Sequence, residues 1–360
     1  MLATLTLSAC GAAPVAAPAG SQPSAPASAS PAAPTSAKPA GSAPGASSAN
    51  PSAAAANPKK IEIANSSLSG DSIPLWVAID AGIFQQHGLE VDSQFIAGAA
   101  ASMATLISGK VQVGWLGGPA VLSSAAGGAD IVVLGTASPV IPYKFYVPAD
   151  IKTAADLKGK KVDLGTTGSA VDVATKIGVQ KLGLDPNKDI VYVTTGSHPA
   201  ATTALMNGAI QGRMDNPPGS VELDAKGFHV LLDMAAEKVP AANSTIDMTR
   251  SYLSQNHDVA QAFIDSIVLA TARARADKPF TVNVLKKYYK SDDTDAMNLA
   301  YDFWMGEVIP SLPYPKVEQF ADAKAEQAKT TPSVANLDVP KLLDPSFVQS
   351  AADRALDKRS

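Results

Sequence analysis

Apolar residues recur with two different periods along residues 59 to 234, and each switch marks a boundary between a short strand and a helix. In KKIEIANSSLSGD, residues 59–71, Ile61 and Ile63 alternate with polar neighbours, which predicts a strand and then a Ser/Gly turn. SIPLWVAIDAGIF follows, with Pro74 suited to a first helical turn and Leu75, Ile79 and Ile83 at helical spacing. GLEVDSQFI predicts a strand, AAASMATLISGK a helix, VQVGWLG a strand, GPAVLSSAAGG a helix and ADIVVLGTA a strand. The same rhythm repeats from YKFYVP. KKVDLG, DIVYVTT, a weak AIQGRM and FHVLLDM read as strands. TAADLKG, SAVDVATKIGVQKLG, HPAATTALMNG and PPGSVELDAKG read as helices. Beyond Met234 the pattern turns helical to the end, as in DVAQAFIDSIVLATARARA and DAMNLAYDFWMGEVI.

Strands alternating with helices through short Gly-bearing turns argue for an α/β fold of mostly parallel sheets flanked by helices. The two runs predict two lobes. Residues 59–138 and 234–360 form lobe 1, the helical tail returning to brace it, and residues 139–233 form lobe 2. Hinges are expected near Thr136–Pro142 and Asp233–Asn243.

Composition separates this part from what precedes it. Residues 11–58 are nearly all Ala, Pro, Ser and Gly, with Lys38 the sole charge. Such a segment has too little to bury to offset its chain entropy and is expected to be a disordered linker reaching roughly 40 Å. The single cysteine, Cys10, closes LTLSAC at the end of a short apolar stretch (residues 1–10). This resembles the lipobox of bacterial lipoproteins, in which the Cys is acylated; each buried CH₂ then contributes about 0.8 kcal/mol to membrane anchoring. No run of 18 apolar residues is present to span a bilayer. Residues 59–360 carry 28 of the 29 basic residues and all 33 acidic ones, a formal charge of −5, which gives no basic surplus for nucleic acid.

The motifs IPLWVAIDAGIFQQHGLEVD, ISGKVQVGWLGGPA, DLKGKKV and MNGAIQGRMDNPP, in this order and spacing, resemble the solute-binding proteins of ABC importers in the sulfonate, nitrate and taurine group, which includes pyrimidine-precursor binders. The resemblance covers residues 59 to 250. It implies a two-lobed periplasmic binding protein-like (type II) fold with two crossovers between the lobes. The implied function is an extracytoplasmic, lipid-anchored monomer that captures a small polar organic solute, with no cofactor, and delivers it to an ABC permease and its ATPase.

In open α/β sheets a ligand sits beyond the C-terminal strand ends, where loops meet helix N-termini. LGTTGSAVD (164–172) ends a strand and starts a helix, so its free N–H groups and dipole would favour an anion or a ligand oxygen. Thr166, Thr167, Gly168 and Ser169 are candidates there; alternatively Ser169 and Asp172 form a capping box. In NSSLSG, Ser67 and Ser69 could offer hydroxyls or simply form a polar turn. Gly117 and Gly118 would let backbone approach a ligand, and Trp76 could face the cleft or fill core. Asp215 and Asn216 in RMDNPP depart from the small apolar residues the resemblance implies. A carboxylate there would suit an amine or a zwitterion better than a bare sulfonate, or Asn216 and Asp215 could cap the following helix. Arg213 could pair with Asp215 or meet an anionic ligand.

Gly109-Lys110 and Gly159-Lys160 lack the Ser/Thr of a phosphate-binding loop, so this chain is not the importer's ATPase. The four histidines lack metal-ligand spacing, and no metal is expected. Two competing readings remain. One is an enzyme like the thiamin-pyrimidine synthases on the same fold, whose cysteine-rich iron motif has no counterpart in the Cys-free residues 59–360. The other is a ligand sensor for a signalling partner.

Overall fold

The computed structural model describes residues 57–66 and 68–359. Cys10 with its lipobox, the linker up to residue 56, and Ser67 lie outside the described residues. Ten strands occur among them: β1 (Lys59–Asn65), β2 (Leu89–Phe95), β3 (Val113–Leu116), β4 (Ile131–Val140), β5 (Lys144–Val147), β6 (Lys161–Asp163), β7 (Val191–Val193), β8 (Arg213–Asp215), β9 (His229–Asp233) and β10 (Pro240–Thr249).

The first sheet has the order β2-β1-β3-β10-β4. Its β2, β1 and β3 are parallel, as right-handed strand–helix–strand units require, while β10 runs antiparallel to both β3 and β4. The second half holds an antiparallel sheet, β8-β5-β9, and a parallel pair, β6-β7. A parallel bridge, Val162 to Gly212, ties that pair to the residue before β8. The sheets are therefore mixed where mostly parallel ones were expected, because the chain crosses between the halves and returns.

β10 lies in the middle of the first sheet, where the sequence pattern predicted only a hinge and then helices. Its sequence, PAANSTIDMT, alternates apolar and polar only over Ile246–Thr249, and Ser244, Thr245 and Asp247 are buried in it. It pairs with β4 through three register shifts, between Pro240 and Ser244, Ser244 and Thr245, and Ile246 and Asp247. Such irregularities bend a strand; the first lies on the expected hinge segments, and the last, at Ile246–Asp247 opposite Gly135 and Val133, lies outside them.

Two large cores organise the molecule. The helix Ile73–Asp80 (Pro at its first turn) packs with Ile61 and Ile63 of β1 and with the long helix His257–Ala276 and later helices, so the tail does cover one face of the first sheet. Phe84 stacks on Phe263 at 5.1 Å inside this core. The other face joins the second half through Phe145, Val162 and Met214. A Cβ on Gly212 would come within 2.7 Å of the Phe145 ring, and one on Gly178 within 2.3 Å of Met214, so both positions need glycine for close packing.

Candidate functional site

The C-terminal ends of β1, β2, β3, β6, β7 and β8 open onto one cleft of about 560 Å³. Ser66, Leu68, Ser69 and Asp71 come from the end of β1, Phe95, Gly98 and Ala99 from β2, and Leu116 and Gly117 from β3. Gly165, Thr166 and Ser169 to Val171 follow Asp163 at the end of β6, Gly196 to Pro199 with Thr202 and Thr203 follow β7, and Asn216, Pro218 and Gly219 follow Asp215 at the end of β8. Tyr143, Asn243, Ser244 and the helix end Tyr288–Lys290 complete the wall. The two sides touch at the cleft: a Cβ on Gly117 would stand 3.2 Å from Ala170 Cβ, and one on Gly98 about 4.0 Å from Thr166.

The structure brings Ser69, Gly117, Thr166, Ser169, Asp215 and Asn216 together on this wall. Thr167 and Gly168 share the Thr166–Ser169 turn without lining the cleft. Gly168 holds a left-handed φ of 78° and donates its N–H to Asp172 Oδ2 at 2.7 Å. Ser169 Oγ accepts from the Asp172 N–H at 3.2 Å, capping the helix Ala170–Lys181. That helix end, expected to greet an anion, is thus met by the chain's own carboxylate, which Lys176 also pairs at 2.9 Å. Gly118 faces away from the cleft, its hypothetical Cβ 2.5 Å from Ala242. Its role is helix packing.

Trp76 is 1 % exposed and belongs to the core, away from the cleft wall. Its indole stacks on Tyr288 at 4.7 Å and meets Tyr289 edge-on at 5.8 Å, and both tyrosines line the cleft. It supports the wall from behind because an indole in a helix's first turn here points into the sheet–helix core.

Arg213 and Asp215 face one another. Both are 1 % exposed, with Nη2 3.4 Å from Oδ2. Arg213 Nη1 donates to Thr202 Oγ1 at 2.6 Å and to the His198 carbonyl at 2.8 Å, and Nη2 lies 3.0 Å from His198 Nδ1. Asp215 Oδ1 accepts the Asn216 N–H at 2.8 Å. Burial pushes the Asp215 carboxyl up, but Arg213, His198 and that backbone N–H outweigh it and hold it below the ordinary range. A Cβ on Gly219 would fall 2.9 Å from Asp215 Oδ1, so glycine makes room for the carboxylate.

Asp71 is the opposite case. It is 3 % exposed, and burial pushes its carboxyl up to about 6 against the opposing pull of Ser244, Ser69 and Trp115. At strict hydrogen-bond geometry its Oδ1, the Ser69 Oγ and the Trp115 indole nitrogen are buried without a partner. Asp71 was missed at the sequence level because SLSGD reads as a turn. Tyr143, His198, Tyr289 and Lys290 were missed too, since each comes from a segment that only the tertiary fold brings to the cleft. Trp304 fixes the arrangement from outside. It donates to the Pro217 carbonyl at 3.1 Å, and its ring occupies the space a Cβ on Gly70 would need, 2.2 Å away.

The family model described as NMT1/THI5 like matches residues 69–278. A Brucella abortus protein provisionally named a binding protein is 24% identical over 244 residues, 62% of this chain and 70% of its own. The alkanesulfonate-binding protein SsuA of Xanthomonas axonopodis pv. citri superposes with a TM-score of 0.63 at 18% identity, covering 78% of this chain and 96% of SsuA. The periplasmic nitrate-binding protein NrtA of Synechocystis PCC 6803 gives 0.68 at 15% identity, covering 82% and 89%. These likenesses establish the periplasmic binding protein fold.

Proposed function

The chain belongs to the NMT1/THI5-like family, and from that premise we propose that it is the extracytoplasmic solute-binding component of an ABC importer. The cleft captures a small polar organic solute, and the loaded protein delivers it to a membrane permease driven by its ATPase. One observation carries this reading: six strand ends from both halves converge on a single cavity of about 560 Å³, whose largely apolar wall carries a few Ser, Thr and Asp side chains, the place where sheets of this kind bind ligands. The sulfonate- and nitrate-binding neighbours on the same fold support it. Ser69, Gly117, Thr166, Ser169, Asp215 and Asn216 are the proposed ligand wall, and closure of the two halves over the solute is the proposed binding motion.

Native mass spectrometry of the chain purified from its own cells tests the reading. A small molecule should travel with the folded protein and leave on denaturation. Protein that never carries a solute, and that gains no thermal stability from any small polar compound, would sink the proposal. Cys10 and the Ala/Pro/Ser linker are the proposed membrane tether. Cys10→Ser should move the protein from the membrane fraction to the soluble one, and a protein that stays on the membrane has another anchor.

A further inference from the structure

The charged groups on the cleft wall fall into two sets. Asp163 is satisfied internally, its Oδ1 accepting from the Thr195 N–H at 3.1 Å and Thr195 Oγ1 at 2.8 Å. Asp215 is held by Arg213, and Glu222 stands near Lys226 at 3.8 Å. Arg213 is spent on Asp215, Thr202 and His198. Neither Asp163 nor Asp71 has an ion pair within the described residues; Asp163 is met by Thr195, whereas Asp71, nearly as buried as Asp215, keeps an oxygen without a well-aligned hydrogen bond. Ser69, Ser244 and the Trp115 indole crowd the Asp71 carboxyl on the cleft side of the first sheet, but Oδ1 and Ser69 Oγ close no well-aligned hydrogen bond, and no cation within the described residues pairs with it. Tyr143 and Tyr289 also line the cleft, and both phenols feel the Asp71 charge. Lys290, the remaining cation of the wall, is exposed at the helix end with a left-handed φ of 52°.

We propose that Asp71 is the anchor for a cationic nitrogen on the ligand, with Ser69 as its hydrogen-bonding neighbour and Tyr143 and Tyr289 as aromatic walls. A buried carboxylate without a cation keeps a desolvation penalty that neutral hydroxyl and indole donors offset only in part, and an opposite charge would offset it further. Aromatic faces beside a carboxylate favour organic cations, whose charge the ring quadrupoles attract. The amine-recognising role that the sequence suggested for Asp215 therefore falls to Asp71, because Arg213 neutralises Asp215. The cleft should prefer amines, amidines and zwitterions over simple oxyanions.

This inference rests on the solute-receptor reading. The test uses the full chain and isothermal titration with probes matched in size: benzylamine, benzamidine, agmatine and choline as cations, taurine and betaine as zwitterions, benzyl alcohol and benzamide as neutrals, and benzoate, methanesulfonate and nitrate as anions. Binding should appear among the cations or zwitterions and weaken at least tenfold in Asp71→Asn. Binding confined to anions or neutrals overturns the inference and leaves the receptor reading standing, as does cation binding that survives Asp71→Asn. Silence across every probe counts against both. Should Asp71→Asn fail to fold, the charge ranking in the unmodified protein decides alone.

Discussion

Asp71 and Asp215 show how one residue type takes opposite electrical states in one cleft. Both are buried, and burial opposes the charge of both. Arg213 stands within 3.4 Å of Asp215, and among the described residues no cation pairs with Asp71. Their contributions to stability therefore run in opposite directions with pH. The lowered Asp215 stabilises the fold at neutral pH and loses that effect as acid protonates it. The raised Asp71 does the reverse. Its favourable protonated state is fully present below an unfolded value of about 4, and that contribution disappears as pH rises through about 6. Asn in its place mimics the protonated form at every pH. Urea unfolding of the ligand-free protein should show Asp71→Asn gaining on the wild type between about pH 4 and pH 6, by up to roughly 3 kcal/mol. A difference curve flat across that window would mean the carboxyl is not desolvated as the structure places it. The sequence placed Asp215 at the cleft but left open whether it faced the ligand or Arg213. It could not single out Asp71 at all, because the burial that makes it unusual comes from Trp115 on β3 and Ser244 on β10, strands distant in the chain.

At the scale of elements, periodicity was a sound guide wherever side chains partition by hydrophobicity. Ile61 and Ile63 announced a strand and Leu75 and Ile79 a helix, but Ile83 falls in a separate short helix, Ile83–Gln86, because Gly82 takes a left-handed φ of 67° and breaks the run. β10 escaped because it buries Ser244, Thr245 and Asp247 on both sides of a central position. Thr245 Oγ1 donates to the Leu116 carbonyl at 3.0 Å. No local pattern encodes that. A second feature invisible to periodicity is the contact between the turn Gly70–Ser72 and Trp304, which opens the π-helical turn Trp304–Val308. Trp304 is fully buried, fills the space over Gly70 and reaches the Pro217 carbonyl 3.1 Å away. It thereby joins the turn carrying Asp71 to the loop after Asn216. Gly70→Ala should destabilise the protein by about 1–3 kcal/mol through overpacking. Trp304→Leu should relieve most of that cost, so the double variant is more stable than the sum of the two single changes predicts. Additive effects in a urea double-mutant cycle would mean that ring and glycine are not in contact.

For the whole molecule, the decisive feature is how the two halves meet. The first sheet reaches the second half at Gly117, whose extended backbone (φ −85°, ψ 142°) any residue could adopt. The need for glycine there is spatial, since a Cβ would stand 3.2 Å from Ala170 Cβ and 3.5 Å from the Asn243 carbonyl oxygen. Ala170 opens the helix on the far side of the cleft, and Asn243 lies on the returning strand β10. A branched side chain at position 117 would act as a wedge between the halves. The two main cores extend well beyond this contact, so folding free energy should change far less than binding does. A ligand that needs the closed arrangement is bound in proportion to the fraction of protein able to close. Gly117→Val should therefore weaken the solute found by native mass spectrometry at least tenfold, about 1.4 kcal/mol, while the thermal midpoint of the ligand-free protein moves by only a few degrees. If the variant binds as tightly as the wild type, the halves do not need to meet at Gly117 for the ligand to be held, and the cleft grips its guest from one side only.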